Sequence, residues 1–463
     1  MAKIKIIELI KSLSSDEIKL LDKFVKSPVH NKHTLVTELF AFVKKNIDKS
    51  VDQIYGEKLF KTLFPNEPIE MQKLHHISSY LLKVVEEFLA WQEWKSDQTK
   101  KGIELLKSYS RLNQTDFFFS TLKKVKKEHS QKAIRDSLYF EQISQIENIT
   151  VSQLRTDNKK KDFRLQEFSD AQDEAFIIQK LKTGCLLLSN QTATKTSYSL
   201  GLLPVIQQYC KDNGLLQNPT VAIYYFASKV LSNYQDDVSF NSLKELLIQK
   251  RDRFNISDLY DIHVFALNYC IKKLNSGEQK FMREAFDLYQ SGLASGIFFQ
   301  NSMLPPRTYN NIVMSGLRLG EHEEVESFIF NYKDKLPPLQ REDFFNFNLA
   351  HLYYEKKNYK DAMPLLLKVG TRDKLHACIT KTLLAKMYFE LNETEALTNH
   401  LQSFSMYLRR KKVLGYHKET FLNFINFVQK ILLDKYRPEE IQQELLETKI
   451  VAEKEWLLEQ LKK

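Results

Sequence analysis

Histidine and cysteine are the side chains from which metal sites and nucleophilic dyads are commonly assembled, and this 463-residue chain spreads its 11 histidines and 4 cysteines thinly. His30 and His33 stand at i and i+3, a spacing that could place two ligands on one helical face. No cysteine or carboxylate follows at a telling distance, so both read as solvated or capping groups. His75 and His76 are adjacent and form no ligand pattern either. His376 and Cys378 lie two apart, which on a helix turns them roughly 200° from each other and separates a base from its nucleophile. Cys185, Cys210, Cys270 and Cys378 make no CxxC pair and read as small core residues of a reduced compartment. Sequences of the types GxxxxGK[ST], GxGxxG, GxSxG, HExxH and DxDxDG do not occur. The 12 glycines are too dispersed to cradle a phosphate. No catalytic centre, metal or cofactor is indicated, and the chain reads as non-catalytic.

The remaining chemistry is electrostatic. Net charge is +10, and between Lys95 and Arg164 16 Lys and Arg face 9 Asp and Glu, a local excess of seven. Lys123, Lys126 and Lys127 fall at i, i+3 and i+4 and share a helical face, with Lys124 beside them, while Phe118, Leu122 and Val125 take the core side. Lys159, Lys160 and Lys161, in an NKKKD run at 158–162 read as an exposed loop, would extend that surface. Such a patch suits phosphates or an acidic protein, although lysine runs also simply solvate a helix.

Helices must position these residues. Glycine (12) and proline (11) fall well below the roughly 7% and 5% of average usage, and hydrophobic residues make up 43%. Ser14 and Glu17 have the spacing of a capping box, Ser27-Pro28 closes that helix, and a short helix with Leu59, Phe60 and Leu63 stops before Pro65. Leu74, Ile77, Leu81, Val84, Val85 and Phe88 then form one stripe over four turns, so residues 1–96 read as a small helical bundle. Beyond it, 97–463 shows paired helices. Ala222 and Tyr225, Ala266 and Tyr269, and Ala350 and Tyr353 share a three-residue offset, and a hairpin with Ile312, Val313 and Val325 joins them. Pro305-Pro306 and Pro337-Pro338 fall between hairpins, and the final helix is expected to open at Pro438 as a polar cap.

Leu349, Ala350 and Tyr353, followed by Tyr359 and Ala362, resemble the tetratricopeptide repeat (TPR), in which small residues let two helices of a hairpin press together. Leu384, Ala385 and Tyr388 repeat the start 35 residues later, against a family period of about 34. Leu397 then occupies the small-residue place with Ala396 one position early, which implies a connection one residue shorter. The resemblance implies an all-α fold, a right-handed solenoid of roughly seven or eight hairpins, whose first helices line a concave binding face. Carried over from Ala350, the groove positions become Phe347, Asn348, His351, Tyr354 and Glu355, then Thr382, Leu383, Lys386, Phe389 and Glu390. Against the family's carboxylate clamp, Asn348 matches, Phe347 replaces a lysine and His351 replaces an asparagine.

The expected function is that of a cytoplasmic scaffold that binds a peptide or helix of another protein on this face. The alternative is a nucleic-acid-associated regulator using the basic segment 95–164. No apolar run approaches the roughly 20 residues a membrane helix needs.

Overall fold

The computed structural model describes residues 2–156, 162–194, 196–370, 374–410, 416–433 and 437–462. Among them the regular structure is helical, and the one β feature is an isolated bridge between Gln300 and Met303. None of their helices is long and apolar enough to cross a membrane. By contacts the chain divides into two compact units, Met1–Phe176 and Ile177–Lys463. The sequence boundary at residue 96 lies inside the first unit, where one core ends and a second begins.

The first unit opens with α1 (Ala2–Lys11), α2 (Ser15–Val25), α3 (Thr34–Lys45), α4 (Val51–Ile54), α5 (Glu57–Leu63) and α6 (Met71–Ser96). The capping box is formed, with the Ser14 amide donating to Glu17 (2.7 Å) and the Glu17 amide donating to Ser14 (3.3 Å). The apolar stripe of α6 is buried from Leu74 to Phe88, and α1, α2 and α3 pack on it. A second core lies between α7 (Gln98–Arg111), α8 (Thr115–Ser130) and α9 (Ser137–Leu154), where Phe118, Leu122 and Val125 face inward as their spacing predicts. The division between units falls within α10 (Leu165–Thr194). Residues 158–161 of the NKKKD run lie outside the described residues.

The second unit continues with α11 (Leu203–Asp212), α12 (Pro219–Ser232), α13 (Asp237–Gln249), α14 (Ile256–Asn275) and α15 (Phe281–Ala294). There follow α16 (Pro306–Arg318), α17 (His322–Asn331), α18 (Arg341–Glu355), α19 (Tyr359–Leu367), α20 (Lys374–Glu390) and α21 (Thr394–Arg410). The chain closes with α22 (Tyr416–Leu432), α23 (Pro438–Glu447) and α24 (Lys454–Gln460). Helices α12 to α21 pack as consecutive pairs, and the first helices also touch one another, α12 on α14 and α16 on α18, with α20 following α18.

Four hairpins, α7–α8, α16–α17, α18–α19 and α20–α21, share one turn. Three residues connect the helices, and the middle one is left-handed: Asn113 (φ 54°), Gly320 (φ 78°), Lys357 (φ 58°) and Asn392 (φ 57°). The next amide donates to the carbonyl five residues back, as Asn358 to Tyr353 (2.8 Å) and Glu393 to Tyr388 (2.9 Å), which satisfies carbonyls the helix end leaves free. Asparagine and glycine tolerate this conformation, so three of the four turns carry a favourable residue. The shared turn sets a common register. Seven residues before its centre stand Leu106, Val313, Ala350 and Ala385, and five after it Phe118, Val325, Ala362 and Leu397, each at most 1% exposed.

Two expectations are corrected. The α18–α19 and α20–α21 connections are both three residues long, so Leu397 is the counterpart of Ala362 and no residue is missing. The final helix is α24, not the one opening at Pro438, and it is no plain polar cap, because Trp456 and Leu457 are buried.

Candidate functional site

The second unit holds a cavity of about 400 Å³ whose walls are α16, α18, α20 and α24. First helices of three successive hairpins supply Arg318, Tyr354 and Lys386. The last helix adds Glu455, Trp456 and Glu459, and its N-cap residue Glu453 joins them. The chain thus returns from far along its sequence to complete a face that its hairpins begin.

Glu390 is the hub. Its carboxylate accepts from the Tyr354 and Tyr359 hydroxyls, from Lys357 Nζ (2.9 Å) and from Trp456 Nε1 (2.8 Å). Burial opposes its ionisation, but these four donors outweigh burial and hold its pKa down at about 2. Burial, and then the bond donated to Glu390, push the Tyr354 hydroxyl up, so it stays a donor. Lys386 Nζ pairs with Glu453 (2.7 Å) and sits 4.8 Å from the Tyr354 ring centre and 5.6 Å from that of Trp456. Phe389 meets Trp456 edge to face, centroids 5.3 Å apart.

Asn348 is fully buried; it donates to the Phe344 carbonyl (2.8 Å), and its side-chain oxygen has no partner. His351 is 8% exposed, and burial, then Lys386 and His376 nearby, drive its pKa down to about 3, so the imidazole is neutral. Its Nε2 makes no hydrogen bond. Phe347 is buried against His351 and His376.

The groove positions taken from the repeat register therefore divide. Tyr354, Glu355, Thr382, Leu383, Lys386 and Glu390 line the cavity together with His351. Phe347, Asn348 and Phe389 do not line it: Phe347 and Asn348 are packed inside the protein, Phe347 against His376 of the next hairpin, and Phe389 is half-buried against Trp456. Sequence reasoning missed Arg318, at the end of α16, and all of α24. Arg318 gave no signal because α16 lacks the alanine that marks α18 and α20.

The basic segment also divides. Lys123, Lys124 and Lys127 are exposed on α8. Lys126 is not part of a free patch: its ammonium pairs with Glu147 of α9 at 2.6 Å, half-buried between the two helices. Lys159, Lys160 and Lys161 lie outside the described residues.

His30 stacks on Phe24 (centroids 3.8 Å) and pairs with Glu87 (2.8 Å), while His33 stands at the N-cap of α3 and stacks on Tyr80. All four cysteines are buried free thiols. No group of three or more His, Cys, Asp or Glu among the described residues is placed to hold a metal ion. What the site offers chemically is a set of carboxylates beside aromatic faces. Compared with protein-family models, with curated proteins and with solved structures, the chain matches none.

Proposed function

We propose that this is a non-catalytic cytoplasmic scaffold, a TPR-like solenoid that binds a peptide or helix of another protein on the face made by its first helices. The observation that carries the reading is the cavity itself, open between the first helices α16, α18 and α20. The shared hairpin turn, with Ala350, Ala362 and Ala385 buried in register around it, supports the repeat assignment. Binding energy would come from a few anchors, with Tyr354 and Trp456 as aromatic walls.

The test is affinity capture from a lysate of the source cells with the full chain and with Arg318→Trp, which fills the cavity from an exposed position. A discrete protein that survives nuclease and high salt and is lost with R318W is the expected result. Equal capture by both proteins would remove this face from the function. Alanine at Asn348, His351 or Lys386 is a poor test, because all three are buried and their loss would also disturb folding.

A nucleic-acid-associated role remains the second reading, and the exposure of Lys123, Lys124 and Lys127 favours it. It requires that bound material disappear with nuclease and that affinity fall steeply with salt.

A further inference from the structure

We propose that the cavity between α16, α18, α20 and α24 takes a lysine or arginine side chain of a partner peptide. This rests on the peptide-binding reading above and specifies the chemistry of the ligand.

Two lysines at the cavity are already committed, Lys357 to Glu390 and Lys386 to Glu453. Once those pairs are set aside, the carboxylates of Glu355, Glu455 and Glu459 remain, and none makes an ion pair among the described residues. Only Arg318 opposes them. An excess of unpaired acid in a partly enclosed site attracts a cation, and low-dielectric walls strengthen that attraction.

This wall already binds ammonium groups of the chain itself. Lys386 lies over the Tyr354 and Trp456 rings with Glu453 at 2.7 Å, and Lys357 lies 5.1 Å from the Tyr354 ring centre with Glu390 at 2.9 Å. Ring face plus carboxylate is the combination that stabilises a partly desolvated cation. A guest side chain beside these lysines meets the other three carboxylates, Glu355, Glu455 and Glu459, in a cavity with the same aromatic walls.

His351 also stands at the cavity. This side chain is more than nine-tenths buried, borders the cavity, is neutral, and has a ring nitrogen without a partner. Such an unsatisfied buried group is costly in isolation. With the ring proton on Nδ1, this nitrogen is an acceptor that an ammonium or guanidinium in the cavity can satisfy.

The experiment is fluorescence anisotropy of the full chain with labelled short peptides of equal length, their variable positions filled by Lys and Arg, by Gln, or by Glu. Two variants accompany it, E355Q/E455Q/E459Q at the cavity and E57Q/D116N/D173N at exposed acids elsewhere, with circular dichroism confirming that both fold. The basic set is expected to bind, and the cavity variant to weaken it about tenfold, as the loss of three partly exposed charge contacts implies. The remote variant should change affinity less than twofold relative to wild type. Basic peptides binding no tighter than the Gln set, or equal losses in the two variants, would overturn the inference while leaving peptide binding intact. Failure of all three peptide sets to bind would overturn the inference and the peptide-binding reading together.

Discussion

Glu390 gathers four donors from α18, α19, the intervening turn and α24 onto one carboxylate. Glu390→Gln keeps the shape but replaces one acceptor oxygen by a donor that faces donors, and it should lower unfolding stability by about 2 kcal/mol in urea titrations. Acid gives a second measure. The folded carboxyl holds its proton only near pH 2, against an ordinary 4.5, so the unfolded chain takes up the proton first as pH falls. The stability contributed by this group is complete above about 4.5 and is lost progressively toward 2, and E390Q should lack that component of the acid transition. At this scale the sequence was partly readable. Tyr354 and Glu390, on different helices, could each be placed on the groove side by the repeat register. The burial of Asn348 and His351 could not, because what covers them belongs to other hairpins, and Lys386 meets Glu453 across 67 residues of chain.

At the scale of helices, the hairpins are held by close approach at one or two positions. A Cβ on Gly316 would press into Val325 and come within 2.9 Å of the Phe286 ring, and a Cβ on Gly102 would press into Val125. Alanine normally favours a helix over glycine by about 1 kcal/mol, but here the crowding should prevail. Gly316→Ala is expected to destabilise by about 1–2 kcal/mol net of that gain, read as a lower thermal midpoint. Alanine at Gly292, another site of close contact, provides a parallel comparison through Phe298. These contacts explain what was legible. Ala350, Ala362 and Ala385 leave a mark in the sequence because small residues are rare at otherwise apolar positions, and Asn392 and Gly320 mark turns because they accept positive φ. Val313 and Val325 do the same structural work without the compositional mark, and so the α16–α17 hairpin reads as degenerate. Helix α24, seven residues of mixed charge, carries no periodicity long enough to read.

Over the whole chain, two units each have their own cores, and the aromatic side chains fill them: Phe40, Phe60 and Phe88 in the first, Tyr269, Phe286 and Phe404 in the second. The all-helical class followed from composition, with little glycine or proline to interrupt helices. The division of the chain did not, because it falls within the 30-residue helix α10, which shows no break in sequence. The buried cysteines carry a further consequence. Cys185, Cys210, Cys270 and Cys378 stand on α10, α11, α14 and α20, each inaccessible in the folded state. Burial also pushes the thiols of Cys185, Cys210 and Cys270 up, so little reactive thiolate exists. Each can be alkylated only when its own neighbourhood opens. The second unit therefore contains four natural clocks, and pulsed alkylation read by mass spectrometry should return four separate rates if hairpins open one at a time, or one shared rate if the unit opens as a whole. Separate rates are the expected outcome, and their order would chart which end of this chain lets go first.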